Sequence, residues 1–173
     1  MELDKIYFLT ATIHLWIPLL QKNSFKEIII SSLKYLVEKK CLKIYGFVIM
    51  PNHIHLIIEN IEMNGKELPH ASFFKFTSHS FLNKLRQESP DLLSRFTVDE
   101  ANKSHEFWQR DSLRVELFNP HVVYQKLDYI HNNPCQKKWM LAFEPILYRY
   151  SSFIFYESGT DTFGFLNHIG DRL

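Results

Sequence analysis

The pair His53 and His55, in the run PNHIHLII, is the pattern in this chain best suited to chemistry. Residues two apart on a strand point to one face, about 7 Å apart along the backbone. Two imidazoles so placed can share one metal ion, and zinc is a reasonable partner for nitrogen ligands. The plain alternative is two polar residues on a half-exposed strand, since histidine is common at surfaces. A central strand weakens that alternative, because two buried histidines need partners. Rival chemistries fit poorly. A nucleotide hydrolase of the histidine-triad type needs a third histidine where Ile57 stands, and the repeated HxT or HxS of two-histidine phosphoesterases is absent.

A second candidate lies in NPHVVYQKLDYIHNNP, residues 119–134. Val123, Leu127 and Ile130 recur at helical spacing, and at 3.6 residues per turn Tyr129 falls roughly 130° from that stripe. Lys126 and Asn133 share its side, with Asn133 one turn further on at i+4. A phenol is a weak nucleophile unless its target is polarised or its proton is made easier to lose. Beside an ammonium and a carboxamide it makes a workable site, and Asn133 offers an oxygen to the histidines' metal. The opposing reading is packing. Eight tyrosines are present, most tyrosines pack with a polar tip outward, and Asn133-Pro134 also reads as a helix stop. His131 lies on another helix face and receives no role.

These residues need a scaffold. Residues 5–15 alternate as a strand. Ser24 and Glu27 read as a capping box for a helix whose apolar face is Phe25, Ile28, Ile29, Leu33 and Leu36, ending at Lys39-Lys40. Residues 42–50 and 53–59 read as a hairpin about Pro51-Asn52. After a polar stretch, 60–67, residues 70–87 form a second helix with Phe73, Phe74, Phe81 and Leu85 inward. Weak periodicity makes 89–106 a mobile loop. LRVELF, 113–118, is a further strand. Asn119 as cap and Pro120 at the first helical position open the tyrosine helix, which runs to Asn132–Asn133. The remainder is aromatic and irregular. Strand–helix–strand twice over predicts an α+β, ferredoxin-like or RRM-like antiparallel sheet. Helices cover one face, the third strand is central, and the tyrosine helix lies over the open face.

Composition sets the bounds. The chain has 173 residues, 46% hydrophobic and 15% aromatic, which suits one domain over 1–173, with 157–173 an irregular tail. No apolar run is long enough to span a bilayer, the start MELDKIYFLTAT lacks a leader pattern, and Cys41 and Cys135 stand alone. A cytoplasmic protein without a disulfide framework is expected. The net charge of +1 and pI near 7.8 are low for a nucleic-acid binder, which leaves room for a local basic face only.

GFVIMPNHIHLII, then FWQRD, LDYIHNNP and YRYSS, together resemble the single-tyrosine HUH transposases, named for a His–hydrophobic–His motif. Within them the likeness is greatest to the REP-associated tyrosine transposases. It covers roughly residues 5–156; HxH alone is weak, but PNHIHLI followed by DYIHNNP is specific. The resemblance implies metal ligands at His53, His55 and Asn133 and a catalytic nucleophile at Tyr129. It implies one Mg2+ or Mn2+ ion per site in place of zinc, and a homodimer. It implies single-stranded or hairpin DNA as substrate, cut and rejoined through a 5′-phosphotyrosine link. DNA-binding candidates are Lys75, Arg110, Arg114 and Lys126, with His79, Lys84 and Arg86 on the second helix. Trp108 is read as core filling in preference to base stacking. Two other functions stay open: a non-cutting hairpin-DNA-binding module of the same fold, and a phosphoesterase of small nucleotides.

Overall fold

The computed structural model describes residues 1–100 and 103–173. Strand β1 (Ile6–Thr12) leads through two short 3-10 turns to helix α1 (Asn23–Glu38), then to β2 (Leu42–Ile49) and β3 (His53–Asn60). Helix α2 (Pro69–Glu88), short helix α3 (Pro90–Ser94) and a small hairpin of β4 (Thr97–Glu100) and β5 (Lys103–His105) follow. Strand β6 (Leu113–Glu116), α4 (Pro120–Asn132) and α5 (Phe153–Ser158) come last. The main sheet is antiparallel in the order β2-β3-β1-β6. This is the α+β, ferredoxin-like plan expected, with β3 central.

Strand alternation divides the sheet into two faces. Leu9 and Ala11 of β1, Ile44, Phe47 and Ile49 of β2, and Ile54, Leu56 and Ile58 of β3 bury against α1 and α2. Phe8, Val48 and Ile57 point the other way, against Val123, Leu127 and Ile130 of α4. The face without α1 and α2 is therefore half covered by the tyrosine helix. Two local features set α4 there. Asn119 Oδ1 accepts the His121 N–H at 2.9 Å, capping the helix ahead of Pro120 as its sequence indicates. Gly46 lies beneath it, where a Cβ would sit 2.8 Å from Leu127 Cδ1 and 3.0 Å from Ile130 Cδ1. The missing side chain lets the helix lie close to β2, just past a register shift between Ile44 and Gly46.

Three expectations are corrected. The capping box at Ser24 does not form: α1 starts at Asn23 without a side-chain cap, and Glu27 instead accepts from the Tyr150 hydroxyl at 2.8 Å. The first strand stops at Thr12 because Leu15 and Trp16 turn into left-handed backbone, φ 52° and 58°. The segment 89–106 is not a loop but α3 and the β4–β5 hairpin, anchored by Leu93, Phe96 and Phe107 in the core. Residues 101 and 102 of that segment lie outside the described residues. The tail 157–173 is largely irregular in backbone, as expected, yet packed onto the fold: Phe165 and Ile169 are buried, Asp161 accepts from the Phe163, Gly164 and Leu166 amides, and Arg172 pairs with buried Glu59 at 2.9 Å. Among the described residues no helix is long and apolar enough to cross a membrane.

Candidate active site

His53 and His55 stand opposite Thr12 and Thr10 of β1, side by side on the α4 face of the sheet. Both are buried, and their ring centroids are 4.8 Å apart. Each has its Nδ1 occupied. His53 Nδ1 lies 2.8 Å from Asn52 Oδ1, and His55 Nδ1 lies 2.7 Å from Thr10 Oγ1. The Asn52 amide donates its other end to the Trp16 carbonyl at 3.2 Å, which fixes its oxygen toward His53. An amide oxygen only accepts, so His53 carries its proton on Nδ1 and keeps a lone pair on Nε2. Burial pushes His53 down to about 4, with help from Lys138. Burial, then His53 and Lys126, push His55 down to about 3. Both rings are neutral at pH 7, the state in which imidazole binds a metal.

Tyr129 reaches this pair within the same chain. Its ring centroid is 5.3 Å from that of His55, near edge-on at 70°. Phe8 fills the space between the sheet and α4, stacked on His55 at 5.4 Å and edge-on to Tyr129 at 6.3 Å. Tyr129 is 44% exposed, so an incoming group can reach its hydroxyl. Lys126, one turn earlier, holds its ammonium 4.8 Å from the Phe8 centroid and 5.8 Å from that of Tyr129. Asn133 keeps helical angles, φ −57° and ψ −44°, so it remains in line with Tyr129 one turn on. Pro134 then turns the chain into a 3-10 turn.

Two buried atoms here have no hydrogen-bond partner, His55 Nε2 and Asn133 Oδ1. Leaving such groups unmade costs about 1–3 kcal/mol each. Asn133 Oδ1 offers a lone pair, as does His55 Nε2 when Thr10 Oγ1 accepts the Nδ1 proton, and both residues line one cavity of about 380 Å³ with His53, Thr10, Tyr129 and Lys126. That combination fits a cation. Among the described residues no group of three His, Cys, Asp or Glu could hold one, so a metal here would draw on two imidazoles, one amide and oxygens of substrate and water.

The other expected DNA contacts fall elsewhere. Lys75, Arg110 and Arg114 line a separate groove of about 310 Å³ beside Trp108. Lys75 pairs with Glu67 at 2.7 Å, Arg110 with Glu106 at 3.2 Å, and Arg114 Nε donates to Ser112 Oγ at 3.1 Å. Trp108 is core, as expected, donating to Thr77 Oγ1 at 3.0 Å. Residues not singled out for the site also line the His–Tyr cavity: Trp16, Leu113, Gln136, Lys138 and Trp139. Trp139 packs against His53 at 5.5 Å between centroids. No periodicity marks Trp16, Lys138 or Trp139, which lie outside the long helices and strands.

The fold is similar to that of a solved tyrosine transposase. The particular neighbour is a REP-associated tyrosine transposase solved bound to a REP hairpin. It superposes with a TM-score of 0.62 at 15% identity, over 97% of this chain and 88% of that one. A candidate transposase from Deinococcus radiodurans aligns over 76% of this chain and 92% of its own, at 15% identity and a TM-score of 0.44. No protein-family model and no curated protein matches the sequence.

Proposed function

We propose that this chain is a DNA transposase that cuts and rejoins single-stranded DNA beside hairpins, with Tyr129 as nucleophile. The carrying observation is a single cavity holding the Tyr129 ring, two neutral buried imidazoles, an orphaned Asn133 oxygen and the Lys126 ammonium. The fold shared with a transposase bound to a hairpin supports the substrate class.

His53, His55 and Asn133 would hold one Mg2+ or Mn2+ ion. Such an ion, when bound, withdraws charge from the scissile phosphate. The chain supplies the rest. Thr10 and Asn52 keep the imidazole Nε2 atoms turned into the cavity. Lys126 offers a positive charge to the phosphate. The Tyr129 oxygen loses its proton and forms a bond to phosphorus. The bond from phosphorus to the 3′ oxygen breaks, and that oxygen takes up a proton as a free 3′-OH. A 5′-phosphotyrosine link results, and attack by a second strand's 3′-OH reverses the step and joins DNA. Because Tyr129 and His55 meet within one chain, one subunit carries a whole site. A homodimer remains the proposed assembly, read by sedimentation.

The test is a covalent protein–DNA band from a single-stranded hairpin oligonucleotide with Mg2+ or Mn2+. The wild-type chain gives the band and Tyr129→Phe does not. A band that survives Tyr129→Phe overturns the assignment. Since His53, His55, Tyr129 and Asn133 all line the cavity, no observation favours a non-cutting binder.

A further inference from the structure

We propose that Trp16, together with Lys138, is a stacking platform for the unpaired nucleobase next to the scissile phosphate; this rests on the reading of the cavity as a single-strand DNA site. Tryptophan is usually buried payload, yet Trp16 is 55% exposed and lines the same cavity as His53, His55 and Tyr129. Its projection is built into the fold. The neighbouring Ile13 and Ile17 are both buried, and between them Leu15 and Trp16 hold left-handed backbone without being glycine. Such angles persist only where surrounding contacts impose them. The Trp16 amide donates to the Ile13 carbonyl at 2.9 Å, and the Trp16 carbonyl accepts from Asn52.

That last bond joins the platform to the chemistry. One Asn52 side chain holds the Trp16 backbone with its nitrogen and His53 Nδ1 with its oxygen. Lys138 places its ammonium 5.9 Å from the Trp16 centroid and 5.1 Å from that of Trp139, and Trp139 in turn packs on His53. A flat indole beside a cation is the chemistry that takes a base on its face and a phosphate at its edge. A protein or membrane partner would also meet the exposed Leu15, but it would have no use for the continuity with Tyr129. Stacking is tolerant of sequence, so Trp16 would read the absence of pairing at this nucleotide and not the identity of its base.

The test measures dissociation constants by fluorescence anisotropy with Mg2+ in the Tyr129→Phe background. The probe is a hairpin oligonucleotide with a single-stranded extension, intact or with one abasic position moved along the extension. On intact DNA, Trp16→Ala is expected to weaken binding roughly tenfold, within the range of one base–aromatic stack, and Trp16→Phe to recover most of it. One abasic position should cost the Trp16 protein a similar factor and cost Trp16→Ala nothing further. Equal affinity of Trp16→Ala and its parent, or losses that multiply at every abasic position, overturns the platform while leaving the transposase reading in place. Failure of the parent to bind any extension or hairpin overturns both.

Discussion

At the scale of single residues, the site depends on which ring nitrogen each histidine presents. Thr10 and Asn52 hold Nδ1 of His55 and His53, and partners of this kind set the orientation and basicity of metal-binding imidazoles. Thr10→Val keeps the shape of the side chain and removes the hydroxyl. The expected outcome is a 10- to 100-fold loss in Mn2+ affinity, read by calorimetric titration, with little change in melting temperature. Unchanged affinity would mean that His55 does not bind the ion through the nitrogen opposite Thr10. Part of this arrangement was legible beforehand. Strand alternation alone puts His53 and His55 on one face of their strand, and 3.6-residue spacing alone sets Tyr129 away from the apolar stripe of α4. Asn52 was read only as a turn residue, because Pro51-Asn52 does make the turn. Trp16 stands just past the strand expected at 5–15, with nothing in the sequence to single it out. A left-handed angle at a non-glycine residue, which costs about 1–2 kcal/mol, leaves no mark in the residue types and shows only once Ile13, Ile17 and Asn52 are seen to fix it.

Elements decide whether those residues meet. Helix α4 carries Tyr129, Lys126 and Asn133, and its height above the sheet is set at Gly46. Gly46→Ala would drive a methyl into Leu127 and Ile130, both buried, and overpacking of this size costs about 1–3 kcal/mol. The expected outcome is a lower thermal midpoint together with slower adduct formation at temperatures where the variant is still folded, since Tyr129 rides on the displaced helix. A drop in midpoint with a normal adduct rate would show that the helix tolerates the shift by side-chain rotation alone. The long elements were readable because their periodicity extends over many residues: α2 was expected at 70–87 and spans Pro69–Glu88, and Asn119-Pro120 marked the start of α4. Short elements were not. The five residues of α3 and the three of β5 are too few to show a period, and what fixes them is Leu93, Phe96 and Phe107 entering a core built by distant strands. The folded tail has the same cause. Arg172 finds Glu59 and Ile169 enters the layer beneath α4, contacts that no local pattern foretells.

For the whole molecule, the histidines make stability depend on pH. His70 is buried at the start of α2, where its Nδ1 lies 3.3 Å from the Asn60 amide nitrogen and accepts from it. Burial first, then the positive charges of Arg114 and the N-terminus, push it down to about 4. Buried His131, facing Ser152 Oγ at 2.8 Å, is likewise pushed down to about 4 by burial. A folded pKa below the unfolded value near 6.5 means that the unfolded chain takes up protons first as pH falls. The stabilisation is complete above about 6.5 and is lost progressively down to about 4, below which the dependence on these groups levels off. By pH 5 each such histidine withdraws on the order of 1–2 kcal/mol, a large part of the total for a domain of this size. Urea unfolding midpoints in chelator, with the metal ligands bare, are therefore expected to fall steeply from pH 7 to pH 5. His53 and His55 shift in the same direction, and a divalent ion at the candidate site would add stability at pH 7 that protons remove. His70→Gln keeps an acceptor for Asn60 and cannot titrate, so it isolates one contribution. It should flatten the pH 5–7 slope without changing the metal's added stability at pH 7. A slope as steep as that of the wild type would show that His70 takes up its proton as readily in the folded chain as in the unfolded one, and would place the acid sensitivity in the histidine pair and His131.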